Sequence, residues 1–254
     1  MDFHSAILGK EMKSLIYLPE SYNTLGALPV LYFLHGRSGD ENIMFEAEIK
    51  DKADLLTNMG EINPMIIVCP WIGNSRGLNS ATKCSEVLNS ENRIYHAGMY
   101  EDYLIKELIP FIDKSFNTIS DRKGRYIGGA SAGGYAALHN ALRHQDMFCK
   151  VGGHMPAIEL TLEEEDKPHF YSKDVWEKYD PIHLAKNKGI RADIRVYLDA
   201  GDKDEGKFYE GCSVLNTILE EKGISVQNHL FQGHHNVEYI KANIETYLKF
   251  YGKK

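Results

Sequence analysis

Short apolar, β-rich runs alternate along this chain with stretches of helical periodicity, and that rhythm leaves few architectures open to it. Residues 13–18, 29–34, 65–69, 125–128, 150–153, 194–198 and 226–231 read as strands. Apolar residues at helical spacing cover 100–116 (Tyr103, Leu104, Leu108, Ile112), 135–143, 207–222 and 237–251. Pro110 interrupts the first of these helices and is expected to kink it. The pattern predicts an α/β fold, a mostly parallel central sheet with helices on both faces. A chain of 254 residues suits one such domain, 1–254, and no internal repeat or low-complexity linker divides it. Two stretches break the alternation: 71–99, rich in Gly, Asn and Ser, and 154–188, rich in charge and aromatics. Connections longer than about 12–15 residues are usually functional loops or small insertions. Both follow strand ends, where open α/β sheets place their ligands, so both are expected to form the pocket walls.

Charge and composition exclude several classes of function. With 36 acidic and 29 basic residues the net charge is -7, so nucleic acid and anionic membranes would repel the chain. Hydrophobic content of 43% with 26% charged residues belongs to a globular protein rather than a disordered one. No run approaches the ~20 apolar residues that span a bilayer. The start, Met1-Asp2-Phe3-His4, lacks the basic and apolar regions of a secretion signal, so the expected address is cytoplasmic. Cys69, Cys84, Cys149 and Cys212 are widely spaced, which argues against a zinc site and against a disulfide framework.

Gly129-Ala130-Ser131-Ala132-Gly133 fits G-x-S-x-G between a strand and a helix. A serine on so tight a strand-to-helix turn has strained backbone angles, and side chains two positions either side would clash. Glycine at both flanks relieves this. The helix that follows would aim its N-terminal dipole at a developing negative charge. The plain alternative is a small-residue turn that lets helix and sheet pack closely. A serine hydroxyl needs an imidazole to take its proton, and the imidazole needs an acid to hold it. In chain order after the serine, the acid candidates Asp199, Asp202 and Asp204 end one predicted strand. His234 and His235 follow the last strand. The N–H of Ala132, the residue after the serine, suits one half of an oxyanion hole.

With these motifs in place, the chain resembles the putative esterase family of the α/β-hydrolase superfamily, which includes esterase D, enterochelin-esterase-like and antigen 85-like proteins. The resemblance spans nearly the whole chain. It rests on Pro29-Val30-Leu31-Tyr32-Phe33-Leu34-His35-Gly36, on Tyr100-Glu101-Asp102-Tyr103 leading to Glu107-Leu108-Ile109-Pro110-Phe111-Ile112, on the serine turn, and on the Gly-x-x-Asp and Gly-x-His segments. It implies an α/β-hydrolase fold and a carboxylic-ester hydrolase with a Ser131, Asp204, His235 triad. Asp202 and His234 are the runners-up, and His234 stands where the family usually has a small residue. The resemblance also gives Arg37 as the second oxyanion N–H, leaving its side chain for the surface or an acidic substrate group. His35 would brace the loop behind that site, and His154 belongs at a strand end or the pocket.

Such chemistry needs no metal or organic cofactor. The implied partner is a small soluble ester with a short-chain, acetyl or feruloyl-type acyl group, and Trp71, Phe170, Tyr171 and Trp176 are candidates to bind a sugar or phenolic ring. A homo-oligomer is left open. Acyl transfer or thioester hydrolysis would use the same residues. A non-catalytic binding protein on a hydrolase scaffold, or a peptidase, are the rival readings.

Overall fold

The computed structural model describes residues 1–88 and 93–253. Among the described residues ten strands run in chain order: β1 (Asp2–Ser5), β2 (Lys10–Tyr17), β3 (Val30–Leu34), β4 (Ile66–Pro70), β5 (Ser85–Leu88), β6 (Ile94–Ala97), β7 (Arg125–Ala130), β8 (Lys150–His154), β9 (Arg195–Gly201) and β10 (Ser225–Phe231). Eight of them form one sheet in the order β1-β2-β4-β3-β7-β8-β9-β10. β4, β3, β7, β8, β9 and β10 are mutually parallel, while β1 and β2 join antiparallel at one edge. β5 and β6 form a separate two-stranded antiparallel sheet.

The unbroken apolar run of β3 follows from its place at the centre, where both faces are covered. Val30, Tyr32 and Leu34 face a layer that includes the helices Ala132–Arg143 and Phe208–Glu221, whereas Leu31 and Phe33 face Ile49–Asn58 and Val237–Gly252. Two cores thus share one sheet. The chain moves outward from β3 to β4, then returns to build β7 on the other side of β3. This reversal opens a crevice beyond the carboxyl ends of β3 and β7, the usual ligand position in open α/β sheets.

The structure departs from sequence expectation in several places. The helix at 100–115 absorbs Pro110 without a sharp break: Tyr103–Leu108 is π-wound, and the α-helix resumes at Ile109–Ser115 with the proline in its first turn. A proline there needs no N–H partner. The segment 71–99 carries the antiparallel pair β5 and β6, and 154–188 carries the short helices Lys167–Phe170, Lys173–Tyr179 and Pro181–Asn187. The last two are capped by the side chains of Ser172 and Asp180. Residues 195–201 extend the predicted strand 194–198, which draws Asp199 into β9. Among the described residues, no helix is long and apolar enough to cross a membrane.

Candidate active site

Ser131 sits between β7 and the helix Ala132–Arg143 with φ 53° and ψ -118°, a conformation that L-residues avoid. Three backbone hydrogen bonds hold it there. Its N–H donates to the His154 carbonyl at 2.9 Å, and its own carbonyl accepts from Tyr135 and Ala157, each at 3.0 Å. Strain of about 1–3 kcal/mol persists only under such over-determination. The flanking glycines are required by the neighbouring chain. A Cβ on Gly129 would lie 2.5 Å from the Leu34 carbonyl oxygen, and one on Gly133 would lie 2.2 Å from that oxygen and 2.4 Å from that of His35. The end of β3 therefore packs directly on the turn. A serine preceding a helix ordinarily caps it. Here its side chain makes no cap bond.

The hydroxyl reaches His235 instead. Ser131 Oγ is 2.8 Å from His235 Nε2, and His235 Nδ1 is 2.9 Å from Asp204 Oδ2. A carboxylate only accepts, so Nδ1 carries the proton and the Nε2 lone pair accepts from the serine hydroxyl. The Asp204 side chain is fully buried, and its other oxygen accepts from the Gly206 N–H at 2.9 Å. An edge-on Phe208 ring, centroids 5.0 Å apart, packs against the imidazole.

The other candidates take different places. Asp202 accepts from the Gly233 N–H at 3.0 Å and so tethers the histidine loop. Asp199 is buried beneath the site, accepting from the hydroxyls of Tyr239 and Tyr247 at 2.7 Å each. His234 points away, its Nδ1 donating to Glu205 at 2.7 Å, while the other oxygen of Glu205 accepts from the His235 N–H at 3.2 Å. Asp202, Asp204 and Glu205 thus hold Gly233, His235 and His234. His35 is buried and bonded on both ring nitrogens: Nε2 accepts from the Ile72 N–H at 3.0 Å, so Nδ1 donates to the Gly36 carbonyl at 2.8 Å. Burial pushes its pKa down, keeping it neutral and fixing the turn that carries Arg37. Ala132 opens the helix, where an N–H has no partner within the helix itself. His154 ends β8 in the core, its Nε2 3.0 Å from the Tyr251 hydroxyl.

A cavity of about 360 Å³ opens beside Ser131 and His235, walled by Arg37, Ile43, Met155, Phe208, Val237 and Ile240 among others. The expected walls need correction. Among the described residues, segment 71–99 contributes none of the lining and 154–188 only Met155 and Ala157; residues 36–46 and 235–240 supply most of the rest. Of the four candidate recognition aromatics, Phe170 and Trp176 are buried in the core, Trp71 packs against it, and Tyr171 is exposed. The physical reason lies in Arg76, which no sequence signal marked. Buried at φ 53°, it pairs with Glu159 at 3.1 Å and Asp166 at 2.6 Å and lies over the Tyr135 ring, pinning both long segments to the serine helix. The Arg37 guanidinium, expected at the surface or on an acidic substrate group, lies 3.8 Å from Asp166 of the protein itself.

A serine, an acid and a histidine in that chain order, each following one of the parallel strands β7, β9 and β10, define the α/β-hydrolase class. Within it, the chain belongs to the putative esterase family, whose model matches residues 5–251. It is 27% identical over 238 residues to an S-formylglutathione hydrolase of Arabidopsis thaliana, covering 85% of this chain and 80% of that protein. It is 28% identical over 225 residues to an endo-1,4-beta-xylanase/feruloyl esterase of Xylanibacter ruminicola. That match covers 83% of this chain but spans only 28% of the relative's length. A solved ferulic acid esterase superposes with a TM-score of 0.81 at 23% identity, over all of this chain and 96% of the other, a likeness of fold.

Proposed function

We propose that this chain hydrolyses carboxylic esters through an acyl intermediate on Ser131. The observation that carries the reading is the continuous hydrogen-bonded path from the Ser131 hydroxyl through His235 to buried Asp204. In the first step Ser131 Oγ attacks the ester carbonyl as His235 Nε2 takes its proton. Asp204 holds the Nδ1–H tautomer and stabilises the imidazolium that forms. The N–H groups of Arg37 and Ala132 receive the oxyanion, as fixed donors that need no reorganisation when charge develops. His235 returns the proton to the leaving alcohol, and water repeats the sequence on the acyl-serine.

A small soluble ester suits the site. The cavity is in the lower part of the ~300–1,000 Å³ range of small-molecule pockets, with room for a short-chain, acetyl or single-ring feruloyl-type acyl group. Ile43, Met155, Val237 and Ile240 give such a group apolar walls. The test is turnover of p-nitrophenyl acetate and butyrate by the wild type and Ser131→Ala, with labelling by a fluorophosphonate probe. Ser131→Ala is expected to lose about 10⁴-fold or more in kcat and all labelling while its circular dichroism stays unchanged. Activity within a few-fold of wild type removes Ser131 from the mechanism.

A further inference from the structure

Behind the Phe208 ring lies a second cavity, also about 360 Å³, lined by Ile158, Leu160, Glu163, Lys207 and Glu210 among others. Phe208 lines both cavities, and the consecutive residues Ala157 and Ile158 line one each. The two spaces share the Phe208 side chain as lining and adjoin at Ala157–Ile158. Lys207, at φ 53°, turns the chain so that Phe208 begins the helix Phe208–Glu221 with its ring edge-on to His235. The ring is half-buried rather than locked in the core.

We infer that Phe208 sets the size limit of the group this site accepts. It closes the apolar cavity over Ser131, and its removal joins that cavity to the one floored by Ile158 and Leu160. The inference rests on the esterase reading and deepens it by naming a specificity-determining residue. The second cavity also carries a charge preference. Glu163 and Glu210 line it beside the single Lys207, and Glu159 is already held by Arg76 at 3.1 Å. A neutral chain that enters gains apolar contact, whereas one ending in a carboxylate meets two carboxylates.

The experiment compares kcat/KM for p-nitrophenyl butyrate, octanoate and the mono-ester of an eight-carbon dicarboxylic acid in the wild type, Phe208→Ala and Phe208→Leu. Each methylene newly buried is worth about fourfold in kcat/KM, from ~0.8 kcal/mol per CH₂. The octanoate-to-butyrate ratio is therefore expected to rise about tenfold or more in Phe208→Ala and less in Phe208→Leu, with the dicarboxylate ester left behind. Any general loss from disturbing His235 cancels in this ratio, and the leucine variant preserves an apolar side chain should the alanine variant fold poorly. A ratio unchanged within about twofold in both variants, with butyrate still hydrolysed, overturns the inference. Equal gains for octanoate and the dicarboxylate ester overturn its charge preference. Absence of Ser131-dependent turnover in the wild type overturns the esterase reading itself, a result distinct from both.

Discussion

Gly133→Ala tests the claim that the serine turn and the end of β3 form one packed unit. The added Cβ would lie 2.2 Å from the Leu34 carbonyl oxygen, 2.4 Å from that of His35 and 2.6 Å from the Leu34 carbonyl carbon. All three are backbone atoms, so no rotamer change relieves the clash; the turn and the strand must part by most of an ångström. Overpacking in a filled core costs about 1–3 kcal/mol, and contacts made only with backbone place this one near ~3 kcal/mol. At this chain length each kcal/mol shifts Tm by about 2–4 °C, which gives a fall of roughly 6–12 °C. The strand end that moves leads into Arg37 and the turn carries Ser131, so the proposed oxyanion donor and the proposed nucleophile separate. A misplacement of ~1 Å can cost about 10²-fold in rate. Urea unfolding followed by fluorescence, together with initial rates on p-nitrophenyl butyrate, reads both effects. Gly189→Ala, with nothing within 4 Å of its would-be Cβ, is the control and should stay within ~0.5 kcal/mol. If Gly133→Ala matched that control in stability and kept more than a third of the activity, the packing argument would be wrong.

Asp204→Asn should lower kcat by about 10³–10⁴ with little change in KM, because an amide no longer enforces the Nδ1–H tautomer. Asp202→Asn keeps an acceptor for the Gly233 N–H and should remain within about threefold in steady-state rate; the reverse order would exchange their roles. The Glu205 carboxyl is lowered from its ordinary 4.5 to about 2, first by the hydrogen bond from His234 and then by backbone N–H donors, among them that of His235. A depressed folded pKa contributes stability that is present above 4.5 and is lost as pH falls toward 2. Wild type should therefore lead Glu205→Gln slightly in urea midpoint at pH 5 and lose that lead by pH 2. The difference will be small, since the pair is exposed and screened. A lead that grew on acidification would contradict this assignment.

Local sequence was informative wherever the signal itself was local. Apolar periodicity marked seven of the sheet strands to within a few residues, and the small-residue pentapeptide marked the turn at Ser131. Ile49, Ala53 and Leu56, all buried on the helix Ile49–Asn58, also lie at helical spacing, but that helix is short and only three of its residues are buried. The strand at 2–5 and β5 are short and largely exposed, and β6, although it buries Tyr95 and Ala97, spans only four residues, too few for a clear alternation.

What the chain could not declare along its length was which remote groups would touch. Asp199, Asp202 and Asp204 are the same residue type within six positions, and His234 and His235 are adjacent. Only the register of β9 beside β10, with Gly201 opposite Phe231, decides that Asp204 meets the imidazole at 235 while Asp199 is sealed among tyrosines. Likewise, their length and their position after strand ends made 71–99 and 154–188 look like pocket walls. Tertiary structure ties them to the buried Arg76 pairs and leaves most of the cavity lining to 36–46, Phe208 and 235–240, with Met155 and Ala157 from the second segment. Propensity and periodicity are set by neighbours in sequence, so they are legible there. Which charge is paired, which ring lines two cavities and which imidazole faces a hydroxyl are set by strand order and register, through contacts between residues up to 104 positions apart.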